Sequence, residues 1–259
     1  MATKLVRGRA TRILVLNPNS SQSMTDGMEA VVHSIDLPYS TEIYTYTGPP
    51  DAPASINDGH DIQKSTEAVL GDLGDTLHDC YQGIVVACFS VHPLVPKIQS
   101  SHGQSTAVTG IFEASILAAM SLLGPGQQWG ILTTGKFWEE HLADGVNAFL
   151  GVDGKGPTAK FAGVESTGLN ASDFHHGVDP VVVREKLITA TKRLLQGGNT
   201  TCIVMGCAGM AGLKDTIRTA AKEQRGEHFA YVVLHVIDGV RAGIMEVERM
   251  IRHQRQRRG

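Results

Sequence analysis

Ile84-Val85-Val86-Ala87-Cys88 and Ile203-Val204-Met205-Gly206-Cys207 decide the fold, because each is an apolar run of strand length that closes on a small residue and a cysteine. A run that is apolar at every position belongs to a strand covered on both faces, as in parallel sheets. Working outward, further runs predict strands over Arg12 to Leu16, Glu42 to Tyr46, Ala107 to Thr109, Gly130 to Thr133, Phe161 to Glu165 and Tyr231 to Leu234. Helical patterns lie between them at Ser21 to His33, Ile62 to His78, Phe112 to Leu123, Lys136 to Phe149, Val181 to Leu195 and Asp238 to His253. Ser20 or Ser21 can cap the first helix, and Asp179 before Pro180 fits a cap with proline in the first turn. Strand-helix alternation along the whole chain predicts an α/β fold with right-handed crossovers. The two cysteine-ended stretches hint at two related halves, although buried strands draw on so small an alphabet that five positions also match by chance. Ligands in open α/β sheets bind beyond the carboxyl ends of the strands, so two facing halves bring Cys88 and Cys207 into one cleft.

A chain of 259 residues admits one large domain or two small ones. Its 42% hydrophobic and 19% charged content, without low-complexity tracts, is that of a globular protein. A formal charge of −3 gives no field suited to nucleic acid, so no nucleic-acid partner is expected. Arg249, Arg252, Arg255, Arg257 and Arg258 read as a solvated helix end that complements the helix dipole. Lys4, Arg7, Arg9 and Arg12 precede only a short apolar run, Ile13 to Leu16, too brief for a signal-peptide core. No stretch approaches the roughly 20 apolar residues of a membrane span, so no membrane partner and a cytoplasmic location are expected.

Cys80, Cys88, Cys202 and Cys207 are too few for a disulfide scaffold in a chain of this length. No CxxC pair is present, and no metal site is expected. The segment Gly151 to Pro157 contains Gly154-Lys155 but lacks the order of a phosphate loop, and His175-His176 has no partner ligands at metal spacing. Cys80 and Cys202 fall away from the ligand-facing strand ends and read as core filler. Cys88 and Cys207 read equally as filler or as working thiols. A thiol, with a free pKa of about 8.5, has both protonation states within reach of neutral pH, and strand-end N–H groups are expected to lower it further.

Ile13-Leu14-Val15-Leu16-Asn17-Pro18-Asn19-Ser20 resembles the opening strand and turn of the aspartate/glutamate/hydantoin racemases, closest to the hydantoin and allantoin racemases. Gly48-Pro49, Ser55-Ile56, Ala87-Cys88-Phe89-Ser90, Gly110-Ile111-Phe112-Glu113-Ala114, Ile131-Leu132-Thr133-Thr134, Met205-Gly206-Cys207-Ala208-Gly209-Met210 and Val236-Ile237-Asp238-Gly239-Val240 follow in that family's order. The resemblance implies two Rossmann-like lobes with parallel sheets related by a pseudo-twofold axis, and an active site between them. It implies a first lobe over residues 1–108, completed by 220–259, and a second over 109–219. It also implies a small-molecule substrate, no cofactor and a homo-oligomer. Cys88 and Cys207 become the expected acid and base for a racemase or epimerase of 5-substituted hydantoins, with allantoin as a related substrate. Asn17, Asn19, Ser55, Ile56, Phe89, Ser90, Thr133, Thr134, Ala208 and Gly209 become the expected substrate contacts.

One departure stands out. Relatives commonly carry Cys-Phe-Ser-Asp-Pro where this chain has Cys88-Phe89-Ser90-Val91-His92-Pro93. Other readings are an amino-acid racemase, a cis-trans isomerase or a decarboxylase or lyase on the same fold using one cysteine, against which retention of both cysteines argues, and a silent binding or regulatory protein, which the altered segment leaves open. His92 reads either as an added acid, base or donor beside Cys88 or as an exposed loop residue.

Overall fold

The computed structural model describes residues 10–38, 40–74, 80–102, 105–153, 158–174, 177–210 and 212–258. Hydrogen bonding sorts the strands into two parallel sheets. In the first, β1 (Thr11–Asn17) lies between β2 (Thr41–Thr47) and β3 (Gly83–Val86), with β4 (Ala107–Gly110) beyond β3. In the second, β5 (Gln128–Thr133) lies between β6 (Phe161–Ser166) and β7 (Thr200–Met205), with β8 (His235–Asp238) beyond β7. Each sheet therefore repeats one order, second-first-third-fourth, which is what two related halves require. Cys88 follows the third strand of one sheet, and Cys207 follows the third strand of the other.

Burial explains why the apolar runs were legible. All residues of β3, β4 and β7 are buried, as strands covered on both faces must be, whereas the edge strand β2 exposes alternate side chains. Helices α1 (Gln22–His33), α2 (Gly59–Leu73) and α3 (Leu94–His102) belong to the first half, and α4 (Ile111–Ser121) leads to the second. The second half carries α5 (Phe137–Leu150), α6 (Pro180–Leu195) and α7 (Lys214–Arg225), and α8 (Gly239–Arg258) returns to pack on β3, β4 and α4. Ser21 caps α1 by accepting from the Met24 N–H, and Asp179 caps α6 by accepting from Val181 ahead of its proline. No helix among the described residues is long and apolar enough to cross a membrane.

Three expectations need correction. The run Tyr231 to Leu234 is not a strand: Phe229–Val233 form a wide helical turn and β8 starts at His235. Phe229 and Ala230 are buried there while Tyr231 and Val232 face solvent. Arg218 donates to the Ala230 carbonyl, and the Leu234 N–H closes the turn on Phe229 at 2.8 Å. A short apolar run does not by itself tell a strand from one helical turn. The lobe boundaries shift as well, because Thr109 and Gly110 pair with β3 and β8 pairs with β7. The first sheet thus extends to Gly110, and the return to it begins at Gly239 rather than at residue 220. Finally, Cys80 is exposed rather than packed in a core. The expected extension of α2 to His78 and the His175-His176 pair lie outside the described residues.

His92 is buried in the loop between β3 and α3, and it clips that loop to α2. The Leu94 N–H donates to its Nδ1 at 3.3 Å, which places the proton on Nε2. Nε2 then donates to Ser65 Oγ at 3.1 Å, and the Ser65 hydroxyl donates to the Ile62 carbonyl at 2.9 Å. Burial pushes the His92 pKa down to about 4. An unfolded histidine titrates near 6.5, so the clip contributes fully above that pH and is lost as pH falls toward 4, a change of about 3 kcal/mol at most. His92→Gln is therefore expected to be less stable than the wild type at pH 7, with the gap in urea midpoint closing as pH falls from 6.5 to 4. A gap independent of pH contradicts the assignment.

Candidate active site

Two backbone bonds position the cysteines. The Ala87 N–H donates to the Leu16 carbonyl at 2.7 Å and the Gly206 N–H to the Leu132 carbonyl at 2.6 Å, each extending a ladder one residue past its strand. The next residue is Cys88 in one half and Cys207 in the other. Position 206 must be glycine, because a Cβ there would stand 2.6 Å from Ile131 Cγ2 and 2.8 Å from the Leu132 carbonyl oxygen. Both cysteines line one cavity at the carboxyl ends of the strands, together with Asn19, Met24, Ile56, Ala87, Phe89, Thr134, Trp138, Ala171, Gly206, Ala208 and Gly209. Its volume is about 30 Å³, room for roughly one water. No charged side chain is among these lining residues.

Asn19, Ile56, Phe89, Thr134, Ala208 and Gly209 therefore stand where a substrate contact was expected. Asn17, Ser55, Ser90 and Thr133 do not line the cavity. Asn17 is fully buried, and its amide donates to Asn19 Oδ1, the Ser21 carbonyl and Thr25 Oγ1 at 3.0–3.2 Å, which fixes the turn and engages both its hydrogens. The Thr133 hydroxyl donates to the Gly206 carbonyl at 3.1 Å and so braces the residue before Cys207. The Ser55 hydroxyl meets Asn57 Oδ1 at 3.1 Å, and Ser90 is fully buried with its Oγ 3.4 Å from Cys88 Sγ. Gly48 donates to the carbonyls of Asn17 and Asn19 at 2.9 Å, which explains its place beside the opening turn. Met24, Trp138 and Ala171 were missed. Met24 and Trp138 sit in the first turns of the helices that follow β1 and β5, a position that could have been read from the strand-helix order. Ala171 carries no chemical signal.

The pattern that defines the Asp/Glu/Hydantoin racemase family matches residues 13–247. The chain belongs to that family, and it is an enzyme of the racemase class. An uncharacterized protein of Schizosaccharomyces pombe is 30% identical over 93% of this chain and 92% of its own length. A hydantoin racemase of Pseudomonas sp. is 27% identical, covering 93% of this chain and 86% of that protein. The solved allantoin racemase from Klebsiella pneumoniae superposes with a TM-score of 0.73 at 24% identity, over 94% of this chain and 89% of that one, which supports the fold.

In this racemase-family chain the electrostatics of the two sulfurs differ. Burial pushes the Cys88 thiol up to about 12, opposed by the Ser90 hydroxyl and reinforced by the negative charges of Cys207 and Glu113. Burial pushes Cys207 up to about 11, with the N–H groups of Gly209 and Met210 acting against it. Gly209 N lies 3.3 Å from Cys207 Sγ. The expectation that strand-end N–H groups leave both thiols acidified is thus corrected. Only Cys207 gains such donors, and desolvation outweighs them. Among the described residues no three His, Cys, Asp or Glu side chains are grouped to hold a metal ion.

Both thiols are protonated in the free enzyme at neutral pH. If one thiolate is the working base, kcat/KM is expected to climb by about tenfold per pH unit between pH 7 and 10. A stopped polarimetric assay across that range checks this, and a flat profile contradicts it.

Proposed function

We propose that this enzyme racemises 5-substituted hydantoins by exchanging a proton at C5 between Cys88 and Cys207, without a cofactor. The observation that carries the reading is the shared cavity: two cysteines from equivalent strand ends line one small space without charged walls. Racemisation removes a proton from one face of a carbon and returns another to the opposite face. One sulfur acts as thiolate and the other as thiol, and the roles exchange for the other enantiomer. Positioned acid-base catalysis of this kind contributes about 10²–10⁴-fold, so the remaining acceleration comes from stabilising the enolate oxygen.

Asn19 is suited to that stabilising role. Its Oδ1 already accepts from Asn17 and from the Ser21 N–H, whereas among the described residues its Nδ2 meets the Met24 sulfur at 3.2 Å. A thioether is a weak acceptor, and a carbonyl or enolate oxygen would replace it with gain. Thr134, at the matching strand end of the second half, lines the same cavity. The lining also favours an uncharged ring. Deprotonating an amino-acid carboxylate builds a dianion, and burying it among Met24, Ile56, Phe89 and Trp138 without a cation is costly. A hydantoin carries its activated C–H in a neutral imide. Allantoin, also a neutral ring, is the second substrate to try. A cavity the size of one water requires the walls to part when a ring enters.

Exchange in deuterated water tests the assignment. Wild type, Cys88→Ser and Cys207→Ser are each given single enantiomers of 5-substituted hydantoins and of allantoin. Each variant is expected to lose at least 100-fold in racemisation while exchanging the C5 proton of one enantiomer without inversion, with opposite enantiomers for the two variants. Full dependence on only one cysteine, or no turnover of any of these rings by the wild type, overturns the proposal.

A further inference from the structure

A racemase that uses two sulfurs in this way ends each one-way turnover with the proton on the wrong sulfur. The space the two sulfurs share is small, about 30 Å³, and a ring bound in it leaves little room for water to reach them. A route for resetting the thiols has to come from elsewhere in the fold.

Behind the Cys88 turn lies a second, larger hollow of about 420 Å³ between α4 and α5, walled by Val91, Phe112, Glu113, His141, Asp144 and Phe149 among others. Glu113, in the first turn of α4, connects it to the site. Its carboxylate folds back over Gly110, where Oε2 occupies the space a Cβ would need. Gly110 pairs with Val86, so the carboxylate lies one strand over from Val86-Ala87-Cys88. The neighbouring Phe112 meets Phe89, the residue after Cys88, edge-on with ring centroids 5.5 Å apart. The Glu113 N–H and the Gly110 N–H hold the carboxylate, yet Oε2 is buried with no hydrogen-bond partner among the described residues. His141 Nε2 on the opposite wall is likewise buried and unpartnered. A buried polar atom left in this way calls for an occupant.

We propose that Glu113 is the proton conduit of Cys88, a positioning residue that exchanges protons between that sulfur and water in the hollow beyond α4. To protonate Cys88, the Oε2–H proton passes to the thiolate through one intervening water, the occupant that the unpartnered Oε2 calls for, and the carboxylate left behind takes a proton from water in the hollow, releasing hydroxide to solvent. The reverse sequence returns the proton to solvent. The titratable neighbours suit this task. Burial raises the Glu113 pKa, bringing its acid form nearer neutral pH, and lowers that of His141, which Asp144 opposes. The Glu113 charge in turn acts on Cys88, and is not among the influences resolved at Cys207. Because the carboxylate lies over Gly110, which pairs with the strand leading to Cys88, the conduit is one-sided.

This inference rests on the two-cysteine reading, and one-sidedness gives a test that separates the two. Glu113→Gln and Glu113→Asp are placed in the Cys207→Ser background, where Cys88 is the sole base, and in the Cys88→Ser background. Uptake of solvent deuterium at C5 is then followed by NMR. Glu113→Gln is expected to slow uptake through Cys88 at least tenfold, with Glu113→Asp restoring part of it, and to leave uptake through Cys207 within twofold. Retained uptake through Cys207 also certifies that the variant folds. An equal effect in both backgrounds, or none, overturns the conduit while leaving the cysteine pair intact. Absence of exchange in both parent single-cysteine variants overturns the two-cysteine reading and the conduit with it.

Discussion

The last rung of each parallel ladder is the constraint on which the site depends. Ala87 bonds to Leu16 and Gly206 to Leu132, and the pairing stops one residue short of the cysteines. A side chain just beyond the end of a buried ladder is held by a rigid backbone yet leaves the sheet for the space above it. Because the two sheets share one strand order, the same event occurs twice and presents two sulfurs to one cavity. The surrounding polar residues serve that placement. Thr133 braces the Gly206 carbonyl, Asn17 fixes the turn that presents Asn19, and His92 ties the Cys88 loop to α2.

Burial determines the chemistry available there. Desolvation raises both thiols well above the ordinary value of about 8.5, so the resting pair is neutral and a thiolate is formed at a free-energy cost. The two sulfurs are not equivalent. Cys207 accepts from backbone N–H groups, whereas Cys88 has a hydroxyl and the negative field of Glu113. The symmetry of the fold is thus broken at its two cysteine-bearing ends, and under the proposed mechanism proton traffic need not follow the same route on both sides.

The parallel strands were legible because burial on both faces writes continuous apolar runs, as in Ile84 to Val86 and Ile203 to Met205. The helix starts at Ser21 and Asp179 were legible from capping chemistry. Tyr231 to Leu234 was misread because a short apolar run does not tell a strand from one helical turn, and the Arg218 donor that supports this turn lies outside the run. The cysteine pair was legible as two equivalent strand ends, but position alone left each as filler or working thiol, and the resemblance to the racemases decided between them. The polar partners were harder to sort: Asn17 and Asn19 share one turn, and only the hydrogen-bond network shows that one supports and the other faces the cavity. Trp138 and Met24 were readable only from their place in the first turns after β5 and β1, since their side chains alone look like ordinary core, and the sign of the thiol shifts depends on desolvation, which no local motif records.

The most direct measurement is a crystal structure of the enzyme holding a slowly reacting 5-substituted hydantoin. The expected result is C5 lying between Cys88 Sγ and Cys207 Sγ, each about 3–3.5 Å away on opposite faces of the ring. A ring bound with both sulfurs on one face, or with either one out of reach of C5, contradicts the two-sulfur mechanism.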